Sequence, residues 1–320
     1  MGVLFAVLIT VTFGLAFNSV QSNTMSAALQ SAFSIEPLNS GIVISVLTLV
    51  IIFGGVHRIA AISSVIVPVM AVGYIALALF VVLANIDRIP AVVEQIVGNA
   101  FGWHQAVGGG IGTALMQGIK RGLFSNEAGM GSAPNAAATA HVTHPAKQGF
   151  IQALGVFTDT LLICSCTAFI ILFGEDYIGS GLDGIQLTQA ALTSEVGNIG
   201  GIYVAIATLF FAYSSILGNY YYGEANIRFF TSRQWPVVLY RMLVGGMVLF
   251  GSLASLNLVW NLADVTMALM SICNLIAISL LGKYAFRLLD DYLAQKRKGI
   301  KSPVFHKEQM KDIEQDLECW

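Results

Sequence analysis

Charge is what this sequence has least of. Only 11% of its 320 residues are Asp, Glu, Lys or Arg, whereas 56% are apolar. A soluble domain carries about a quarter charged residues, so this chain has too little charge to cover a surface facing water. Its net charge of −2 leaves no basic excess for a nucleic-acid backbone. Cysteine is sparse too. Cys164, Cys166, Cys273 and Cys319 follow no metal or disulfide spacing, and the first three sit in apolar runs where cysteine acts as a small hydrophobe. The histidines stay out of those runs, and neither a His-Glu-x-x-His nor a Gly-x-Ser-x-Gly arrangement occurs. A membrane enzyme using an Asp–His pair is therefore the weaker alternative. No basic segment precedes the first apolar run, which is also too long for a cleaved leader, so it reads as a span.

What the chain has instead is long apolar runs. About 20 such residues cross the hydrocarbon core, which predicts an all-α, polytopic membrane protein of about eight spans. The runs cover Val3–Leu29, Gly41–Gly54, Ile62–Leu83 with Pro68 inside, Gly149–Phe173, Gly200–Tyr222, Pro236–Leu256 and Asp264–Leu281. An interrupted segment between the third and fourth makes up the count. Glu36-Pro37 breaks the chain after the first span, Gly54-Gly55 ends the second, and Asn85–Asn99 reads as an interfacial loop with a short helix. A polar loop carries Glu175, Asp176, Asp183 and Glu195. The division is a transmembrane domain over 1–282 and a charged tail over 283–320. Arg58, Lys147, Arg228, Arg233 and the tail residues Lys283, Arg287, Lys296, Arg297, Lys298, Lys301, Lys307 and Lys311 fall on one side, and Arg88 on the other. Basic loops stay in the cytoplasm, so both termini are expected there.

The interrupted segment begins with the apolar run Gly108–Gln117. It continues Lys120-Arg-Gly-Leu-Phe-Ser-Asn-Glu-Ala-Gly-Met-Gly-Ser-Ala-Pro134, and an alanine-rich piece runs from Asn135 to Val142. Gly122, Gly129 and Gly131 permit a tight backbone, and Pro134 suits the first turn of a new helix. Two readings fit. One is a helix broken in mid-membrane, whose ends aim peptide groups at a carboxylate or a dehydrated sodium ion. The other is a re-entrant or cytoplasmic loop.

The run Arg121–Pro134 resembles the hallmark of the alanine/glycine:cation symporter family. Asn18-Ser-Val-Gln-Ser-Asn23, Ser214-Ser-Ile-Leu-Gly-Asn-Tyr-Tyr-Tyr-Gly-Glu224 and Leu258-Val-Trp-Asn-Leu-Ala-Asp264 are similar to other parts of that family, in order and spacing. The resemblance implies a LeuT-like fold of two inverted five-helix repeats with discontinuous helices. It also implies that this chain begins at the family's fourth span. It would then hold the last three helices of repeat one and all of repeat two, without the first discontinuous helix. The implied function is sodium-coupled symport of alanine- or glycine-type neutral amino acids across a bacterial plasma membrane. Na+ is the coupling ion, with no organic cofactor and no nucleic-acid partner. A non-transporting, truncated remnant is the alternative.

By the same resemblance Gln21 contacts the substrate amino group, Phe124 walls the pocket, and Ser125, Asn126 and Gly129 present oxygens to solute or ion. Ser214 and Ser215 occupy the span that holds a sodium site in LeuT-like folds; their alternative is back-bonding to the preceding turn. Asn219 stands where many family members carry tryptophan, and lies one turn beyond Ser215 on the same face. Asp159, deep in its span, reads equally as a cation or proton site and as a partner for a hydroxyl such as Thr160. Glu127 is expected to pair with Lys120 or Arg121, Asn261 and Asp264 to cap a helix N-terminus, and His141 and His144 to serve loop structure.

Overall fold

The computed structural model of the chain describes residues 1–54, 56–101, 109–174, 180–310 and 312. Gly55, Gly108, Glu175, Asp176, Lys311 and Cys319 lie outside the described residues. Among the described residues every regular element is helical. In chain order these are α1 (Gly2–Phe33), α2 (Pro37–Gly54), α3 (Val56–Ala84), α4 (Ile89–Ala100), α5 (Gly109–Asn126), α6 (Ala133–Ala137) and α7 (Pro145–Phe173). Then follow α8 (Ile185–Val196), α9 (Asn198–Phe230), α10 (Gln234–Leu253) and α11 (Leu256–Arg297). Two carry a turn of π-helix, Thr12–Phe17 in α1 and Thr158–Cys164 in α7.

Six helices, α1, α2, α7, α9, α10 and α11, are long and apolar enough to cross a bilayer. A further candidate is bent: Pro68–Ala84 and Ile86–Ala100 meet at 75°. The sequence count of about eight treats α3 and the interrupted pair α5–α6 as spans as well. Lys120 and Arg121 lower the apolarity of α5, and α6 is only 5 residues long. The expected break after α1 is a left-handed Ser34 (φ 55°) followed by Pro37 opening α2. The polar loop before α9 contains α8, and Gly197 (φ 75°) makes the turn between them.

α1 runs through the middle of the bundle and packs on α9, α10 and α11. Small residues let the backbones approach, as between helices in lipid. A Cβ built on Gly41 would sit 2.7 Å from Ser252 Cβ, and one on Gly245 would sit 2.8 Å from Leu49. Polar groups do the rest of the fastening. Asn23 Nδ2 donates to Gly251 O (3.0 Å) and Ala254 O (2.8 Å), capping the end of α10 from inside α1. Phe13, Phe17 and Val20 of α1 interlock with Val259, Ala263, Met267 and Met270 of α11. The outward faces are equally apolar: Val3 and Val7, Val46 and Val50, Leu154 and Leu161, Val265, Leu269 and Ile272 are all exposed. Helices apolar on both faces are what lipid contact requires.

Two buried polar assemblies fix the ends of helices. Glu224, 7% exposed in its side chain, pairs with Arg228 (2.6 Å) and Arg241 (3.3 Å) and also accepts from Tyr220 Oη. At the other assembly, α11 continues unbroken past Leu281 to Arg297, and residues 303–305 then fold back. Phe305 N donates to Thr143 O (3.0 Å), and Thr143 Oγ1 donates to Pro303 O (2.9 Å). Between them lies His144, fully buried. Its Nδ1 accepts from Ala146 N (3.1 Å), capping α7, which leaves Nε2 to carry the proton toward Asp291 Oδ2 at 3.1 Å. Its loop role is thus a built one.

Two expected pairings change. Neither Asn261 nor Asp264 is a helix cap; both lie inside α11, and Ser255 occupies the cap position. Asp264 sits inside α11 and takes Arg121 (2.5 Å) and Lys120 (3.3 Å) from α5. Those bases are therefore committed elsewhere, and Glu127 turns instead to Ser132 Oγ at 2.5 Å.

Candidate functional site

The helix does break where the glycines stand. α5 ends at Asn126, whose Oδ1 accepts from Ala128 N at 2.9 Å, a local turn that competes with helix. Glu127 follows at φ 56°, then Gly129 at 86° and Gly131 at 87°. Glycine takes this conformation freely; glutamate takes it at a cost of order 1 kcal/mol. Pro134 then opens α6. The freed carbonyls are largely satisfied by side-chain amides: Asn274 Nδ2 donates to Gly129 O (2.8 Å), and Asn135 Nδ2 to Gly131 O (3.2 Å) and Ser132 O (3.1 Å).

Beside the break lies a cavity of about 350 Å³. Phe17 and Gln21 of α1, one turn apart, form one wall. Phe124 and Ser125 at the end of α5, with Glu127, form the second. Ser215, Gly218, Asn219 and Tyr222 form the third, along one face of α9. Five of the expected site residues, Gln21, Phe124, Ser125, Ser215 and Asn219, thus meet around one space. Three do not line it. Asn126 Nδ2 donates to Thr160 Oγ1 (2.9 Å) and ties α5 to α7. Gly129 O is taken by Asn274, and Ser214 Oγ donates to Phe211 O (2.8 Å) within its own helix. Ser215 Oγ donates to the same carbonyl at 3.0 Å, keeping its lone pairs for the cavity.

The aromatic wall is braced. Phe17 and Phe124 lie 4.5 Å apart between ring centroids, and Phe124 and Trp260 lie 4.6 Å apart. Arg121 covers Trp260 at 4.0 Å while bound to Asp264. A second cavity of about 460 Å³ shares Gln21 and Ser215 with the first. It extends toward Tyr74, Thr188 and Thr208 and contains Asp159, whose Oδ2 accepts from Ser125 Oγ at 2.7 Å. Phe17, Glu127, Gly218 and Tyr222 were not among the expected site residues. Their signal was spacing: Phe17 is one turn before Gln21, and 215, 218, 219 and 222 share a helical stripe.

This geometry can now be set beside known proteins. The model of the sodium:alanine symporter family matches residues 1–307. The chain belongs to that family. Its similarity to individual members is high. It is 54% identical over 320 residues to the "Probable sodium/glutamine symporter GlnT" of Bacillus subtilis, covering 100% of this chain and 66% of that protein. It is 52% identical over 321 residues to the "Amino-acid carrier protein AlsT" of the same organism, 68% of which is covered. The "Sodium/alanine symporter AgcS" of Methanococcus maripaludis is 39% identical over 268 residues, 83% of this chain and 59% of that protein. The chain thus spans about two thirds of the length of the curated relatives it matches. Family and relatives carry the names of symporters and carriers, not of enzymes, which sets the enzyme alternative aside.

Proposed function

We propose that this sodium:alanine symporter family chain carries the solute site of a secondary transporter, which moves a small neutral amino acid of the alanine or glycine type inward with sodium. The supporting observation is the break at Glu127–Ser132 set against the 350 Å³ cavity, with two amides, two serine hydroxyls and a carboxylate converging from three elements. Unwound backbone is tolerated in lipid only where it is buried or lines a polar space. In this reading Gln21 and Glu127 take the solute's ammonium, Phe124 closes over its side chain, and Ser214 and Ser215 offer oxygens to sodium. Asn126 and Gly129 act at one remove by holding the end of α5 in place. The fold is read as the later part of a LeuT-like inverted repeat, with 1–282 in the bacterial plasma membrane and 283–320 as a charged tail.

In the same reading both termini lie in the cytoplasm. Phe305 meets Thr143, and Asn226 Nδ2 donates to Asn135 Oδ1 at 2.9 Å. The tail, the α6–α7 connector and the basic end of α9 therefore gather at one end of the bundle, and basic segments stay inside. The relative named a glutamine symporter suggests that a larger side chain is a competitor worth testing. The decisive experiment is alanine uptake into proteoliposomes with and without an inward sodium gradient. It is run on the 320-residue chain and on a version extended at its N terminus by the spans the family resemblance implies. Uptake that ignores the gradient in both would overturn the reading.

A further inference from the structure

The carboxylates Glu127, Asp159, Glu224 and Asp264 lie within or beside helices of the bundle away from the tail. Two are answered by guanidinium or ammonium groups, Glu224 by Arg228 and Arg241, and Asp264 by Arg121 and Lys120. Glu127 has its hydrogen bond from Ser132. Asp159 accepts hydrogen bonds only from neutral groups, Ser125 Oγ at 2.7 Å and Cys164 Sγ at 3.8 Å, both on its Oδ2, and the nearby Glu127 carboxylate adds charge of the same sign. Among the described residues no lysine, arginine or histidine lies within ion-pair distance of it. It projects from the π turn Thr158–Cys164, a wide turn that recurs at functional positions, into the 460 Å³ cavity. A carboxylate on a membrane-crossing helix that faces a cavity is a natural place for a cation.

We propose that the Asp159 carboxylate and the Ser125 hydroxyl hold a sodium ion where the two cavities adjoin, without Ser214 or Ser215 as ligands, although Ser215 lines both cavities. The donor chemistry selects the ion. Oxygen ligands suit a hard cation, and a single carboxylate balances one positive charge, whereas calcium sites gather several carboxylates. Water in the cavity completes the shell.

Ser125 makes the site matter for the solute, a step that rests on the transport reading above. Its Oγ lines the first cavity and at present gives its proton to Asp159. With sodium bridging the Asp159 carboxylate and a Ser125 lone pair, that hydroxyl no longer needs to donate to Asp159. Its proton is then free to turn into the first cavity and meet a solute carboxylate. Sodium thereby creates a donor where the amino acid binds, and by linkage the amino acid tightens sodium to the same degree.

The test is a sodium titration of the unfolding midpoint of the purified full chain in detergent, against potassium at equal ionic strength. It compares the parent chain, Asp159→Asn and the Ser214→Ala/Ser215→Ala double variant. The parent should be stabilised by sodium alone, and Asp159→Asn should need about tenfold more sodium or more, the loss of roughly one charge-assisted ligand. The double serine variant should keep a sodium response. If Asp159→Asn titrates like the parent, the proposal fails, and the transport reading survives on the serine site if the serine variant loses the response. If sodium does nothing to the parent, both fail. Should Asp159→Asn give no cooperative transition, Ser125→Ala replaces it: it removes one ligand and keeps the carboxylate, and an unchanged sodium curve there also overturns the proposal.

Discussion

Replacing Asn219 by leucine would isolate one amide in the cavity wall. Asn219 is 6% exposed, and its Nδ2 donates to Asn18 Oδ1 at 3.1 Å. Asn18 is 0% exposed and passes its own Nδ2 to Gly14 O at 3.0 Å, inside the π turn of α1. A backbone carbonyl can only accept, so both amides have a fixed orientation. The relay leaves Asn219 Oδ1 as the free acceptor of a residue that lines the cavity. Leucine has similar bulk and fills the space, but it strands Asn18 Oδ1 without a donor. Leaving one buried polar group unpaired costs about 1–3 kcal/mol. Adding Asn18→Leu removes the stranded oxygen, so the double variant should be less destabilised than the sum of the singles. The coupling should exceed the roughly 0.3–0.5 kcal/mol within which independent sites add. The assay is equilibrium unfolding in mixed detergent micelles, scored for all four members of the cycle. Additive losses would refute the relay. The binding arm is separate: alanine affinity should fall about tenfold in Asn219→Leu if its oxygen meets the solute, the equivalent of roughly 1.4 kcal/mol.

The other expectations are simpler to state. Gln21→Ala and Ser215→Ala should each depress sodium-dependent alanine uptake about tenfold or more, as loss of one hydrogen bond to a charged group implies, with membrane insertion intact; uptake assays and a folding control check this. Glu224→Leu removes the partner of two arginines and should destabilise the chain by about 3–5 kcal/mol, while Arg228→Ala, which acts on the more exposed pair, should cost under about 1 kcal/mol; unfolding midpoints separate the two. Removing residues 301–320 should expose His144 and the Thr143 backbone, and hydrogen exchange at the start of α7 should quicken while α1 stays protected. Asp264→Asn should release Arg121 from its carboxylate, unbrace Trp260 and weaken solute binding more than it weakens the fold.

The fold was legible where it depends on one strong signal. Long apolar runs gave the helices and most of their limits to within a few residues, because lipid leaves the backbone no other way to satisfy itself. The break at Asn126–Pro134 was legible because glycines at 129 and 131 and Pro134 admit little else. The faces of α1 and α9 were half legible: Gln21, Ser215 and Asn219 stood out as polar residues in apolar surroundings. Tyr222 and Phe17 did not, because aromatic residues on a helix are ordinary packing until a cavity is seen. Partner choice was not legible. Lys120 and Arg121 sit close in sequence to Glu127, yet Asp264, more than a hundred residues away, takes them both. Gly129 looked like a bare carbonyl, and only the packing of α11 brings Asn274 to cover it. The two π turns left no trace that sequence spacing could detect, since one inserted residue shifts no residue type.

The account turns on whether the unwound stretch beside Ser125 faces a solute-filled space inside the membrane. Single cysteines at Ser125, Gly218 and Leu115, in a background with the four native cysteines changed to serine, put this to a direct measurement: the rate of labelling by a small water-soluble thiol reagent, with and without alanine plus sodium. The account predicts that Ser125→Cys and Gly218→Cys react and are protected by alanine with sodium, while Leu115→Cys, exposed on the apolar face of α5, resists labelling in both conditions. Labelling at Ser125→Cys that is fast and indifferent to solute and ion would contradict it.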